Sequence, residues 1–359
     1  MRILQVITDL RTGGAEHLIV QIVPLMISRG HQVEVALFNG METPFKRLLE
    51  CADVKIHSFS DRGSVYNPAH IFRLHKLMRE FDIVHTHNTA PQLFAAIGSV
   101  FGYTKLCTTE HNTSNRRRKW KWYAPIDSWM YSRYQKVICI SEKAEENLRV
   151  FISSNSDRII TINNGIDVKK FAMAQPNKEI RFEVPSDAKI ITMVAAFRWE
   201  KDQPTLIRAL SHLPNKFHLL LVGEGKRLPE CRTLVQELKL ERRIRFLGLR
   251  SDIPEILKAS DYIVMSSHFE GLSLSSLEGM ASGTPFLASD VDGLREVVGG
   301  AGVLFEHGNS QDLAEKILTL ESDEKLRADT VARSQEKAQL YSIDNMVAAY
   351  MAEYNKIIR

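Results

Sequence analysis

Residues 268–285 read HFEGLSLSSLEGMASGTP, and the way this stretch must fold decides the rest. Gly271 permits a turn, Ser273 can cap a helix, and Gly283 with Pro285 just beyond it ends that helix. Short apolar runs flank the stretch at 262–266 and 285–288. Strand, turn, short helix and strand in that order make a βαβ unit, in which the strands are parallel. The helix then begins at a strand's carboxyl end, where its unpaired N–H groups favour an anion.

Outward from this unit the pattern repeats. Strands are expected at 190–195, 218–222, 244–247 and 302–305, and, in the first half, at 3–8, 33–38, 83–86, 106–109, 137–141 and 159–163. Between the first two of the chain, Ala15, Leu18, Ile19, Ile22, Val23 and Met26 recur at helical spacing, and Arg29-Gly30 closes that helix. Strands that alternate with helices and read as continuous apolar runs belong to parallel sheets covered on both faces. The fold class expected is α/β, with two doubly wound, Rossmann-like parallel-sheet domains facing across a cleft. The segment from Phe171 to Lys189 carries Pro176, Asn177, Pro185 and several charges without either periodicity. The expected division is 1–172 for the first domain, a linker at 173–185, and 186–340 for the second. The stretch from Tyr341 to Ile358 places Met346, Ala349, Tyr350 and Tyr354 at helical spacing as a last helix. Ligands of such sheets sit outside the carboxyl ends of the strands.

Composition narrows the classes. With 359 residues, 44% hydrophobic and 25% charged, the chain is neither a disordered polymer nor a disulfide scaffold. A net charge of +4 is too weak to imply a polyanion partner, so only local clustering matters. The longest apolar stretch, 18–27, contains Gln21 and Pro24 and is half the ~20 residues that span a bilayer. Cys51, Cys107, Cys139 and Cys231 lie far apart and read as isolated thiols of a reducing, cytoplasmic compartment.

Three motifs carry chemistry. The first strand runs into TDLRTGGAE at 8–16, where Gly13 and Gly14 let backbone approach a ligand; a tight strand–helix turn would look the same. Arg198 and Lys201, three apart beyond a strand end, can converge on a diphosphate, although a solvated basic pair gives the same pattern. In the stretch first quoted, Glu270 precedes the helix and Glu278 lies about one turn inside it. One carboxylate can therefore reach past phosphates to a sugar while the other faces a different part of a ligand. His85 and His87, alternating at a strand end, are expected on opposite faces, which disfavours a metal pair; at least one is expected to be hydrogen-bonded in a core or cleft. No cluster of His and Asp along the chain suggests a metal.

The sequence resembles the retaining family 4 glycosyltransferases of the GT-B fold. Glu270 to Glu278 matches their E-x7-E signature, down to the trailing EGMASGTP. Further tags are TGGAE (12–16), RGHQVEV (29–35), DIVHTHN (82–88), TEHN (109–112), VICIS (137–141), NNGID (163–167), RWEKD (198–202), VGEG (222–225), RFLG (245–248) and DVDGLREVV (290–298). The resemblance covers essentially the whole chain. It implies that Arg198 and Lys201 bind a donor diphosphate, that Glu278 holds the ribose hydroxyls, and that Glu270 contacts the transferred sugar. It further implies a phosphate cradle at Ser273 and Leu274, a nucleobase beside Leu249 and Arg250, and donor phosphates and acceptor under Gly13 and Gly14. His111 matches the histidine near the sugar and acceptor, and the last helix is expected back on the first domain. Asp202 stands where many members have glycine, at a position expected to tolerate it on the surface; Ser273 replaces a second glycine and bears on donor identity.

The activity implied is retaining transfer from a nucleotide diphosphate sugar, first among them a UDP-sugar, to a hydroxyl of a glycan or lipid-diphosphate-linked acceptor. No cofactor and no metal is expected. A nucleotide-sugar epimerase of the same fold and a non-catalytic nucleotide-sugar-binding protein are the alternatives. Directly after His111-Asn112, residues 115–123 (NRRRKWKWY) gather Arg116, Arg117, Arg118, Lys119, Trp120, Lys121, Trp122 and Tyr123. Cations near an anionic leaflet gain about 1 kcal/mol each, and Trp and Tyr favour the interface. We read this segment as a foot on the inner face of the cytoplasmic membrane, ahead of a solvated helix start or a nucleic-acid patch.

Overall fold

The structure, a computed structural model, describes residues 1–11, 13–61, 63–102, 105–111, 123–153, 156–182 and 184–358. The chain forms two units, Met1–Asn164 with Ile343–Arg359, and Gly165–Ser342. The first holds a sheet of β1 (Arg2–Ile7), β2 (Gln32–Leu37), β3 (Ile56–Ser58), β4 (Ile83–His87), β5 (Leu106–Glu110), β6 (Lys136–Cys139) and β7 (Ile159–Thr161). Its spatial order is β3-β2-β1-β4-β5-β6-β7, and every pairing is parallel. The second holds β8 (Lys189–Val194), β9 (Phe217–Val222), β10 (Ile244–Gly248), β11 (Tyr262–Met265), β12 (Phe286–Ser289) and β13 (Val303–Phe305). Their order is β10-β9-β8-β11-β12-β13, again wholly parallel. The strands expected from sequence are present within one or two residues at their ends. Edge strand β3 is an addition.

Alternation along β1 explains the layering. Ile3 and Ile7 face one core with the helix Gly14–Ser28 and the C-terminal helix Ile343–Ile358, while Leu4 and Val6 face the other. In the helix Gly14–Ser28, Ala15, Leu18, Ile19, Ile22, Val23 and Met26 are all buried. Tyr350 and Tyr354 of the C-terminal helix are buried in the first unit, each contributing on the order of 2 kcal/mol by apolar burial.

The boundaries differ from the sequence expectation. The first unit closes at Asn164 rather than at 172, and the stretch 173–185 is no free linker. It contains the helix Lys178–Phe182, and Ile180 is buried among Ile190, Leu220, Val222 and Ile256 of the second unit. A single buried isoleucine anchors a helix too short to show a period. Cys107, Cys139 and Cys231 are buried thiols and Cys51 is exposed.

Each sheet has a switch point, where successive crossovers change direction. It lies between β1 and β4 in the first unit and between β8 and β11 in the second. Crevices outside the carboxyl ends of those strands are where doubly wound sheets bind ligands.

Candidate active site

The motifs fall at these two switch points. In the second unit, β8 leads through buried Phe197 into Arg198 and Lys201, and neighbouring β11 leads into Ser267 and Glu270. Lys201 Nζ lies 2.5 Å from Glu270 Oε1, and Ser267 Oγ donates to the same oxygen at 2.6 Å. Ser267 is itself fixed, because its carbonyl accepts from Ser289 Oγ at 2.6 Å. Gly293, in the tag DVDG, packs against this turn. At φ +83° a Cβ there would sit 2.3 Å from the Glu270 carbonyl oxygen and 2.6 Å from that of Gly271, so only glycine fits. Arg198 stays exposed, 3.8 Å from Glu200.

Ser273 caps the helix Leu274–Ala281, its hydroxyl accepting from the Ser276 N–H at 3.3 Å. The cap leaves the first-turn N–H groups at Leu274 directed out of the helix start. Glu278 is half-buried one turn on, without a hydrogen-bond partner among the described residues. Burial pushes its carboxyl up to about 7, against an opposing pull from Lys170. Leu249 is exposed beyond the end of β10, and Arg250 forks onto Asp252 at 2.7 and 2.6 Å.

Asp202 is not the surface position expected from sequence. It is buried, takes the left-handed conformation at φ +45°, and caps the helix Gln203–His212, accepting from Thr205 N and, at 2.6 Å, from Thr205 Oγ1. Glycine suits this backbone without strain; an aspartate tolerates it and adds the cap.

In the first unit Gly13 and Gly14 open the helix that follows β1. Beside them Thr8, Asp9, Arg11, Glu16 and Asn88 line a pocket of 380 Å³, in which Arg11 pairs with Asp9 at 2.8 Å. A 60 Å³ cavity borders it through Asn88 and is lined by Thr89, Gln92, Thr109, Glu110 and His111. His111 follows β5 directly, and its Nε2 lies 2.8 Å from His87 Nδ1. Burial pushes its ring down to about 4, so it is neutral at neutral pH.

His85 and His87 correct an expectation. Residues two apart on a strand share a face, and their rings stack with centroids 4.4 Å apart, buried on the side of the C-terminal helix. His85 bonds Tyr354 through Nδ1, and Thr109 Oγ1 at 2.8 Å through Nε2; His87 Nε2 reaches Gln5 Oε1 at 2.8 Å. Both rings are thus hydrogen-bonded core residues, and desolvation holds both well below the usual histidine range.

The structure also gathers a group that no sequence spacing betrays. Donor atoms of Asp202, His268 and His307, from three separate loops, lie within 4.8 Å of one another. Among the site residues expected from sequence, Arg116, Arg117, Arg118, Lys119, Trp120 and Trp122 lie outside the described residues.

Comparison with known proteins accounts for both units. The family described as Glycosyltransferase Family 4 matches residues 12–170, and that described as Glycosyl transferases group 1 matches residues 175–337. The N,N'-diacetylbacillosaminyl-diphospho-undecaprenol alpha-1,3-N-acetylgalactosaminyltransferase of Campylobacter jejuni is 30% identical over 230 residues, 62% of this chain and 60% of that enzyme. The chain thus aligns with well under two thirds of that relative's length. The UDP-Gal:alpha-D-GlcNAc-diphosphoundecaprenol alpha-1,3-galactosyltransferase of Escherichia coli is 27% identical over 240 residues, 62% of each chain. In fold, the chain superposes on Anabaena Alr3699/HepE in complex with UDP with a TM-score of 0.84, at 23% identity, covering 99% of this chain and 100% of the other.

Proposed function

Because the chain belongs to the family 4 glycosyltransferases, we propose that it transfers a sugar, with retention, from a UDP-sugar to a hydroxyl of a lipid-diphosphate-linked glycan. The observation that carries the reading is the meeting of Lys201 and Glu270 at the second switch point, beside the helix start at Ser273 and Glu278, which has no hydrogen-bond partner among the described residues. Uridine is supported by the UDP in the relative's name and in the HepE complex; the acceptor class is supported by the two diphosphoundecaprenol enzymes.

Each residue then has a task. Arg198, Lys201 and the Ser273–Leu274 helix start neutralise the diphosphate, on which negative charge builds as the bond to the sugar breaks. Glu278 accepts from the ribose hydroxyls, Glu270 from the sugar, and Leu249 and Arg250 flank the base. Gly13 and Gly14 let backbone approach the phosphates and acceptor, and His111 accepts from a sugar or acceptor hydroxyl. With retention, the acceptor oxygen bonds the anomeric carbon on the face the diphosphate leaves, and its proton passes to the departing phosphate oxygen. No carboxylate under the ring is called for, in contrast to a covalent glycosyl–enzyme route, and no metal is called on in the transfer.

The same reading seats the protein peripherally on the inner face of the cytoplasmic membrane. No helix of the described residues is long and apolar enough to cross a bilayer. In the first unit Phe72, Phe101 and Trp129 are exposed, and they join the basic and aromatic residues at 116–122 as candidates for lipid contact.

The test is calorimetric titration with UDP, GDP and ADP and with their hexose conjugates. UDP-selective binding, weakened at least ~10-fold in Lys201→Ala as a charge-assisted contact is lost, supports the assignment. Equal affinity in wild type and Lys201→Ala overturns it.

A further inference from the structure

We propose that Asp202, His268 and His307 form a binding site for a late first-row divalent transition metal, with zinc the natural occupant. The three donors converge from loops that follow three different strands of the second sheet: Asp202 beyond β8, His268 beyond β11 and His307 beyond β13. His268 Nδ1 is the central atom, 2.7 Å from His307 Nε2 and 3.7 Å from Asp202 Oδ2.

Tetrahedral zinc with bonds near 2.0–2.1 Å sets its donors roughly 3.4 Å apart. The aspartate–histidine separation already matches. The two imidazoles have to part by about 0.7 Å, which His307 allows because it is exposed. Two imidazoles and a carboxylate suit zinc, copper or nickel rather than magnesium, which asks for six oxygens.

The other contacts hold the donors in place. Thr205 Oγ1 donates to Asp202 Oδ2 at 2.6 Å, the outer-shell hydrogen bond that orients a ligating carboxylate. His268 is pinned by its backbone N–H, which donates to the Glu200 carbonyl at 2.8 Å, and by the Trp199 ring, 4.7 Å away between centroids. Three donors leave a fourth position for water.

The site borders the donor residues without including them. Asp202 follows Lys201 in sequence, and His268 lies two residues before Glu270. A bound ion therefore ties together the loops that carry Lys201 and Glu270 and takes no part in the transfer itself. Nothing in this inference depends on the nucleotide sugar.

The experiment uses the full chain, stripped with chelator, in a Cys51→Ser background that removes the exposed thiol. Cobalt(II) is titrated without nucleotide. The expected result is one equivalent of cobalt with the intense visible bands of tetrahedral coordination, displaced by zinc. His307→Ala and His268→Ala should each weaken binding by ~100-fold or more, beyond the cost of losing an outer-shell contact. One zinc per chain should also raise the melting temperature of wild type but not of His307→Ala. Cobalt that binds His307→Ala as tightly as wild type, or that shows only weak octahedral bands in both, overturns the proposal.

Discussion

His87 Nδ1 lies 2.8 Å from His111 Nε2, while the other nitrogen of His87 lies 2.8 Å from Gln5 Oε1. An amide oxygen only accepts, so His87 carries its proton on Nε2 and offers a lone pair at Nδ1. His111 must then donate from Nε2, which leaves its own Nδ1 bare. The Gln5 amide is oriented by its opposite end, where Nε2 faces Tyr354 Oη at 3.4 Å. A buried relay starting at the C-terminal helix thus sets which nitrogen of His111 is free to accept from a hydroxyl. Imidazole ¹⁵N spectra of the protein at neutral pH should show His111 as the neutral Nε2–H tautomer. His87→Phe should lower kcat by up to ~100-fold with little change in the donor KM, as a misplaced group does. An Nδ1–H tautomer in the wild type would sink the relay.

The same three rings make the first unit sensitive to acid. Burial holds His85 at about 3, His111 at about 4 and His87 well below the ordinary histidine value of 6.5. In the unfolded chain all three take up protons below that value, while in the folded chain they stay neutral. A depressed histidine contributes stability that is present above the unfolded pKa and lost as pH falls. With three such groups the loss approaches ~4 kcal/mol per pH unit at about pH 5. Thermal melts should therefore drop steeply between pH ~6.5 and ~4.5, and His85→Gln should show a shallower slope than wild type. A flat profile over that range would contradict neutral burial.

What the sequence made legible, and what it hid, follows from how far apart the cooperating residues stand. β1, β4, β8 and β11 announce themselves because each is rich in apolar and β-branched residues and is bounded by turn residues. β3 does not: Ile56-His57-Ser58 is three residues at a sheet edge with one apolar side chain. The helix Lys178–Phe182 is hidden for the same reason of length. Within the site, local motifs such as Ser273 capping its helix are readable, since cap and partner N–H are three residues apart. The Lys201–Glu270 pair spans 69 positions, and only the adjacency of β8 and β11 brings it together. Asp202, His268 and His307 are scattered likewise, and no spacing rule reaches them. The faces of His85 and His87 were available from the period of two along a strand.

Glu278 gives a pH dependence of opposite sign in the second unit. Its carboxyl is raised from 4.5 to about 7 by burial. Between those values the folded protein keeps a proton that the unfolded chain has released, so stability falls as pH rises through the window, by up to ~3 kcal/mol. Glu278→Gln should remove that decline and be the more stable form at pH ~8. Nucleotide binding should run the other way, because a carboxylate accepts more strongly than a carboxylic acid from the ribose hydroxyls. UDP affinity in wild type should rise roughly 10-fold between pH ~6 and ~8 and stay level in Glu278→Gln. The second outcome failing while the first holds would separate the buried acid from the ribose assignment.

Asp202 combines a strained backbone with a helix cap, and the two can be pulled apart by substitution. At φ +45° and ψ +47° a Cβ costs on the order of 1 kcal/mol, and the capping bonds to Thr205 return about as much. Asp202→Gly loses the cap and relieves the strain, so it should stay within ~0.5 kcal/mol of wild type. Asp202→Ala loses the cap and keeps the strain, and should cost about 1–2 kcal/mol more than the glycine variant. Denaturant unfolding of the three proteins in the presence of chelator isolates this comparison from any bound cation. An alanine variant as stable as the glycine one would mean that the left-handed turn after Lys201 is not enforced, and that the loop carrying Lys201 is free to adopt another conformation.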